Sequence, residues 1–149
     1  MTNWVERYIK LAREVSTWSK DPSRQIGAVV ISNSGQVLAQ GYNGFPRGIF
    51  DRPERYNNRE LKYKLVVHAE MNCIYNATRN GTSLNGASLY VWGLPVCNEC
   101  AKGIIQVGIT NVIWSTDEEI PPIWEESMRL TQQMFNESGI DFNRYNIEF

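Results

Sequence analysis

Ala87-Ser88-Leu89-Tyr90-Val91-Trp92, Gly93-Leu94-Pro95-Val96 and Cys97-Asn98-Glu99-Cys100-Ala101-Lys102-Gly103-Ile104-Ile105-Gln106-Val107 follow one another without a break. The first block carries the bulky and β-branched side chains of a strand, and the second is a turn. The third reads as a helix, with Gly108 just past its end as a C-terminal stop. Asn111-Val112-Ile113-Trp114 then reads as a further short strand. Strand, helix and strand in this order form a crossover unit, which is almost always right-handed.

Working outward, Met71, Ile74, Tyr75 and Thr78 keep helical spacing from Ala69 onward, and Asn80-Gly81 closes that helix. Gln25 to Ile31 and Val37 to Tyr42 flank the turn cluster Ser32-Asn33-Ser34-Gly35, the pattern of a β-hairpin. At the N-terminal end, Asn3 followed by Glu6 suits a helix cap. Trp4, Tyr8, Leu11, Val15 and Trp18 then form a stripe expected to face the core of a helix over 3–19, ended by Lys20-Asp21-Pro22. Residues 51–66 are polar and weakly patterned and read as a loop with a helical turn. Pro121-Pro122 opens a last helix from Ile123 to Ser138, with Trp124, Met128, Thr131 and Phe135 inward and Gly139 as its stop. Ile140 to Phe149 reads either as one more strand or as a loosely packed tail.

A hairpin followed by alternating strands and helices specifies a three-layer α/β/α arrangement around a mixed sheet of about five strands. The 149 residues fit a single domain over 1–149. Right-handed crossovers place the helices that begin near residues 69 and 97 on the same face, starting at the same sheet edge. His68-Ala69-Glu70 is thereby expected to meet Cys97-Asn98-Glu99-Cys100.

Composition narrows the partners. A hydrophobic fraction of 42% and a charged fraction of 21% are ordinary for a globular protein. Fifteen basic and sixteen acidic residues nearly cancel, which argues against a large nucleic-acid footprint. No apolar run reaches the roughly 20 residues of a membrane helix. Met1-Thr2-Asn3-Trp4-Val5-Glu6-Arg7 lacks the basic and apolar regions of a signal peptide, so a cytoplasmic location is expected. Three cysteines cannot all pair within one chain, and two at Cys-x-x-Cys spacing without a leader point to metal or redox chemistry.

His68 is the only histidine. With Cys97 and Cys100 it offers one nitrogen and two sulfurs, a soft tetrahedral set suited to Zn²⁺. Three protein ligands with an open fourth position characterise a catalytic zinc site, whereas structural sites are closed by four. The two cysteines open a helix, whose dipole favours thiolates. Zinc can bring a bound water from a pKa of ~15.7 toward ~7. Glu70, not needed for coordination, is placed for general acid–base work on that water. A redox or structural Cys-x-x-Cys, or a first-turn glutamate that merely complements the dipole, is the plainer reading. Cys73 is expected to be a buried small hydrophobe and not a fourth ligand. Gly44-Phe45-Pro46-Arg47-Gly48 is either a plain loop or a nest of backbone N–H groups for an anion, with Arg47 beside it.

The His-x-Glu and Cys-x-x-Cys blocks resemble the zinc-dependent cytidine/deoxycytidylate deaminase family. Asp21-Pro22-Ser23-Arg24-Gln25-Ile26-Gly27-Ala28 and Gly41-Tyr42-Asn43-Gly44-Phe45-Pro46 are similar to its deoxycytidylate branch, as are His68 to Asn72 and Cys97 to Lys102. The resemblance implies a cytidine-deaminase-like fold and a hydrolase acting on C–N bonds of cyclic amidines, converting dCMP to dUMP and ammonia and so feeding thymidylate synthesis. It implies one catalytic Zn²⁺ per subunit held by His68, Cys97 and Cys100, with Glu70 shuttling protons to N3 and the leaving amine. Ser23, Arg24, Asn43 and Ala69 would bind substrate. Gly44, Phe45, Pro46, Arg47 and Gly48 would bind dCTP or dTTP, with Mg²⁺, in a regulated hexamer of the cytoplasm (the host's, for a viral protein). One departure is visible: the proline that usually precedes the first cysteine stands one residue early, at Pro95. Alternatives are a deaminase of CMP, cytidine or a tRNA or other polynucleotide base, and a non-enzymatic zinc-stabilised binding module.

Overall fold

The computed structural model describes residues 3–147. A five-stranded mixed sheet runs β2 (Val37–Tyr42), β1 (Gly27–Ile31), β3 (Ser88–Trp92), β4 (Asn111–Ser115), β5 (Asp141–Arg144). β1 is antiparallel to both neighbours, while β3, β4 and β5 are mutually parallel. The helices are α1 (Trp4–Ser16), α2 (Pro53–Asn57), α3 (Arg59–Leu65), α4 (Ala69–Arg79), α5 (Asn98–Gln106) and α6 (Glu125–Ser138).

Strand periodicity divides the core in two. Ala28, Val30, Leu89, Val91, Val112 and Trp114 point to one face, under Cys73 and Ile74 of α4, Ile104 of α5 and Phe135 of α6. Val29, Ile31, Tyr90 and Trp92 point to the other, under Ile9, Ala12 and Val15 of α1. Central strands covered on both faces read as continuous apolar runs, as β1 does. The expected three-layer order and the mixed sheet of five strands are both present, and the tail supplies β5, paired in parallel with β4.

Three expectations need correction. The first helix ends at Ser16, not 19, because Thr17, Trp18 and Ser19 donate to carbonyls three residues back and tighten the chain out of α geometry. Its buried side is Ile9, Ala12, Val15 and Ser16, whereas Trp4 and Trp18 are half exposed. A β-carbon on Gly27 would stand 2.0 Å from the Ala12 carbonyl oxygen and 2.5 Å from the Ser16 nitrogen. At so close an approach only small side chains fit between helix and strand, and the aromatics are displaced to the margins. Residues 51–66 hold two helices, with Asn58 ending α2 and capping α3 by accepting from Leu61 N at 3.2 Å. The last helix begins with a 3₁₀ turn, Pro122–Trp124, before α6, and Gly139 ends it at φ 78° as expected. Met1, Thr2 and the last two residues of the tail lie outside the described residues.

Candidate active site

α4 and α5 start at the same end of the sheet, each from a residue in extended backbone. His68 is the N-cap of α4 and Cys97 the N-cap of α5, its sulfur accepting from Cys100 N at 3.4 Å. The start of α5 is held from behind by α6. Ser127 Oγ accepts from Asn98 N at 2.9 Å, and the buried Thr131 hydroxyl donates to Val96 O at 3.0 Å. The start of α4 is tied to β2 by Asn72, whose amide donates to Tyr42 O at 2.7 Å. Neither Ser127 nor Thr131 carries a motif signal; their helical spacing marks only the α6 face on which they lie.

His68 Nδ1 lies 3.4 Å from both Cys97 Sγ and Cys100 Sγ, and all three atoms fall within 4.8 Å of one another. Bonds of ~2.3 Å to sulfur and ~2.0 Å to nitrogen at tetrahedral angles would set nitrogen and sulfur roughly 3.5 Å apart. The donor set therefore fits a zinc ion in both chemistry and spacing. Cys100 and His68 both hydrogen bond to the Cys97 sulfur and hold its pKa well below the ordinary thiol range. The Cys100 thiol is pushed up because it donates to Cys97 and is buried. His68 is raised to about 9, chiefly by its hydrogen bond to Cys97. Cys73 is buried in the core with its thiol donating to Ala28 O at 3.1 Å, and it stands apart from the donor set as expected.

Glu70 is 4% exposed. Burial pushes its pKa up to about 7, partly offset by the charge of His68. The charges of His68 and Cys97 both act on this carboxylate, so Glu70 adjoins the donor set.

A cavity of about 400 Å³ opens over His68, Ala69 and Glu70. Ile26, Val66, Leu94, Pro95 and Trp124 give it apolar walls, while Ser23, Arg24, Asn43, Arg59, Lys62 and Tyr63 line it as polar groups. Pro95, shifted one residue from the family pattern, is thus part of the wall. Every proposed substrate residue borders this one cavity, but the Asn43 side chain is already engaged. Its Oδ1 accepts from Ile26 N at 2.8 Å, and its amide donates to Arg24 O at 2.9 Å.

Asp21 organises the same loop. Its carboxylate accepts from Ser23 N at 2.9 Å and from Lys62 Nζ at 2.8 Å, with both members of the ion pair nearly buried. Replacing Lys62 with methionine is expected to destabilise the fold by about 3–5 kcal/mol, because Asp21 is left buried and unpaired. The double variant D21N/K62M should recover most of that loss in urea unfolding; an additive loss would show that the pair is not the cause.

Gly44–Gly48 lies outside this cavity. Gly44 pairs with Val67 across two backbone hydrogen bonds, and Phe45 stacks on Tyr56 at 4.3 Å. Arg47 donates to Asn76 Oδ1 at 2.6 Å and lines a separate cavity of about 330 Å³ with Arg79 and Asn80. No described helix is long and apolar enough to cross a membrane.

A mixed sheet that brings His-x-Glu and Cys-x-x-Cys together at two helix starts defines a deaminase-type metal centre. Residues 2–116 match the model described as the cytidine and deoxycytidylate deaminase zinc-binding region, and the chain belongs to that family of enzymes. It is 37% identical to human deoxycytidylate deaminase over 95% of this chain and 79% of that one. A deaminase of Aliivibrio fischeri is 36% identical, with 95% and 92% covered. The cyanophage S-TIM5 dCMP deaminase, solved with dCMP and dUMP, superimposes with a TM-score of 0.73 at 25% identity, covering 97% of this chain and 99% of that one.

Proposed function

We propose that this chain, as one catalytic unit over residues 1–149, hydrolyses free dCMP to dUMP and ammonia. The observation that carries the reading is the single cavity lined both by His68 and Glu70 and by the cationic side chains of Arg24, Arg59 and Lys62. A pyrimidine needs the first set of groups and a phosphate the second. The named substrate of the human and cyanophage relatives supports the choice of nucleotide.

In this reading His68, Cys97 and Cys100 hold one zinc ion, which when bound supplies Lewis-acid activation of water. Glu70 takes a proton from the attacking water and passes it to N3, then takes the proton of the hydroxyl left on C4 and passes it to the departing amine, so that C4 gains oxygen and loses ammonia. A carboxyl poised near 7 can both accept and release a proton at neutral pH. Ala69, buried at the first turn of α4, presents backbone to the base. Ser23 and Arg24 approach the sugar and phosphate on a loop whose shape Asp21 and Asn43 maintain. The product would feed thymidylate synthesis in the cytoplasm, whether of a cell or of a virus-infected host.

Regulation belongs to the same proposal. Gly44, Phe45, Pro46, Arg47 and Gly48 take dCTP or dTTP, with Mg²⁺, in a hexamer. Arg47 of this loop and Arg79, together at a cavity distinct from the catalytic one, support an anionic effector there.

Ammonia release from dCMP, CMP, cytidine and a cytosine-containing oligonucleotide tests the substrate. Turnover of dCMP well above the others is expected, and activity on the oligonucleotide alone would refute the reading. Rate and hydrodynamic size that stay fixed on adding dCTP or dTTP with Mg²⁺ would refute the effector loop.

A further inference from the structure

Arg59, Lys62 and Tyr63 sit at i, i+3 and i+4 of α3, so they share one face, and that face borders the catalytic cavity. The cations that line this cavity differ in what they already hold. Lys62 is bound at 2.8 Å to buried Asp21, and recruiting it would break the pair that shapes the 21–25 loop. Arg24 is shared with Glu118 at 3.4 Å and leans on Gly93 O. The guanidinium of Arg59 has no hydrogen-bond or ion-pair partner among the described residues.

A planar guanidinium free at the mouth of a cavity is the group best suited to grip a phosphate through two parallel hydrogen bonds. The Tyr63 hydroxyl, four residues on, adds a neutral donor on the same face. The same cavity is lined by His68 and Glu70, with apolar walls for the reacting ring. We propose that Arg59, assisted by Tyr63, is the specificity contact that selects a 5′-phosphorylated pyrimidine deoxynucleotide over its nucleoside. This rests on the nucleotide-deaminase reading above and adds to it a residue that no motif marks.

The test is steady-state deamination of dCMP and deoxycytidine by wild type, R59A, R59K and Y63F, with calorimetric binding of dUMP and deoxyuridine as a readout independent of turnover. R59A should raise KM for dCMP and Kd for dUMP roughly 10- to 100-fold, the worth of one charge-assisted hydrogen bond, with kcat held within about twofold. Deoxycytidine and deoxyuridine should respond little. R59K should recover only part of the loss, since an ammonium lacks the two-pronged grip. Y63F should cost about 3- to 10-fold in the phosphorylated ligands alone.

Raising NaCl from 0.1 to 0.5 M separates contact from long-range steering, because exposed charges are screened within a few ångströms at high salt. A preference for dCMP that survives in wild type at 0.5 M and collapses in R59A is the expected result. An R59A effect that vanishes at 0.5 M, or an R59A preference equal to wild type, overturns the inference and leaves the nucleotide reading intact. A wild type that does not discriminate dCMP from deoxycytidine overturns both.

Discussion

Glu70→Gln is expected to bind zinc at the wild-type stoichiometry and to turn over dCMP about 10²–10⁴-fold more slowly. The magnitude is that of one general acid–base group removed from the transition state. Glutamine keeps the size of the side chain and a carbonyl oxygen that can accept a hydrogen bond. What it cannot do is take up and release a proton. Folding should not suffer, because a carboxyl at 4% exposure is held against a desolvation cost that the neutral amide avoids. The melting temperature of the variant should therefore match or exceed that of the parent, a trade typical of residues kept for chemistry. Zinc by elemental analysis, ammonia release and thermal unfolding together decide the matter. Wild-type turnover with zinc bound would remove Glu70 from the proton path. Lost zinc would recast Glu70 as a support of the metal site.

The cluster of His68, Cys97 and Cys100 and the neighbouring Glu70 were legible in the sequence because each set is local: His-x-Glu and Cys-x-x-Cys are spacings within one helical turn. Their convergence followed from handedness alone, since two right-handed crossovers start their helices on one sheet edge. Parts that depend on distant pairs were not legible. Lys62 lies in a stretch of arginines and lysines that reads as solvent-facing, and only the fold reveals that Asp21, 41 residues earlier, draws it inside. Thr131 reads as a core position, yet its hydroxyl holds the carbonyl of Val96 beside the cysteines. Asn43 carries the signal of a substrate ligand, and the fold shows its side chain bridging to Ile26 N and Arg24 O of the distant 21–26 loop. The stripe of α1 misled for another reason. Periodicity locates the face of a helix but not its distance from the strand below, and Gly27 sets that distance so small that alanine and serine, not tryptophan, are buried.

The same logic of close approach makes Gly41→Ala the substitution with the largest expected effect on the fold. β2 passes under the first turn of α4, and Gly41 has no side chain where the two backbones meet. An added β-carbon would stand 2.5 Å from Cys73 N and 2.6 Å from Ala69 O. Both are backbone atoms, so no rotamer change relieves the contact; the strand or the helix must move. Overpacking of a rigid core costs about 1–3 kcal/mol and occasionally more, and a backbone clash belongs at the upper end. For a chain of this length that is a fall of roughly 6–12 °C in melting temperature. The displaced element matters as much as the cost. α4 carries His68 at its cap and Glu70 in its first turn, so a shift of a few tenths of an ångström opens the donor set. Weaker zinc retention during dialysis against a chelator should accompany the lower melting point. Gly44→Ala is the control. A β-carbon there meets nothing nearer than 3.8 Å, and Gly44 is not among the glycines of positive φ. It should melt within about 2 °C of the parent, the scale of a substitution that meets no clash. If Gly41→Ala behaves like that control, α4 has room to yield, and the glycine is not what fixes the height of the metal site above the sheet.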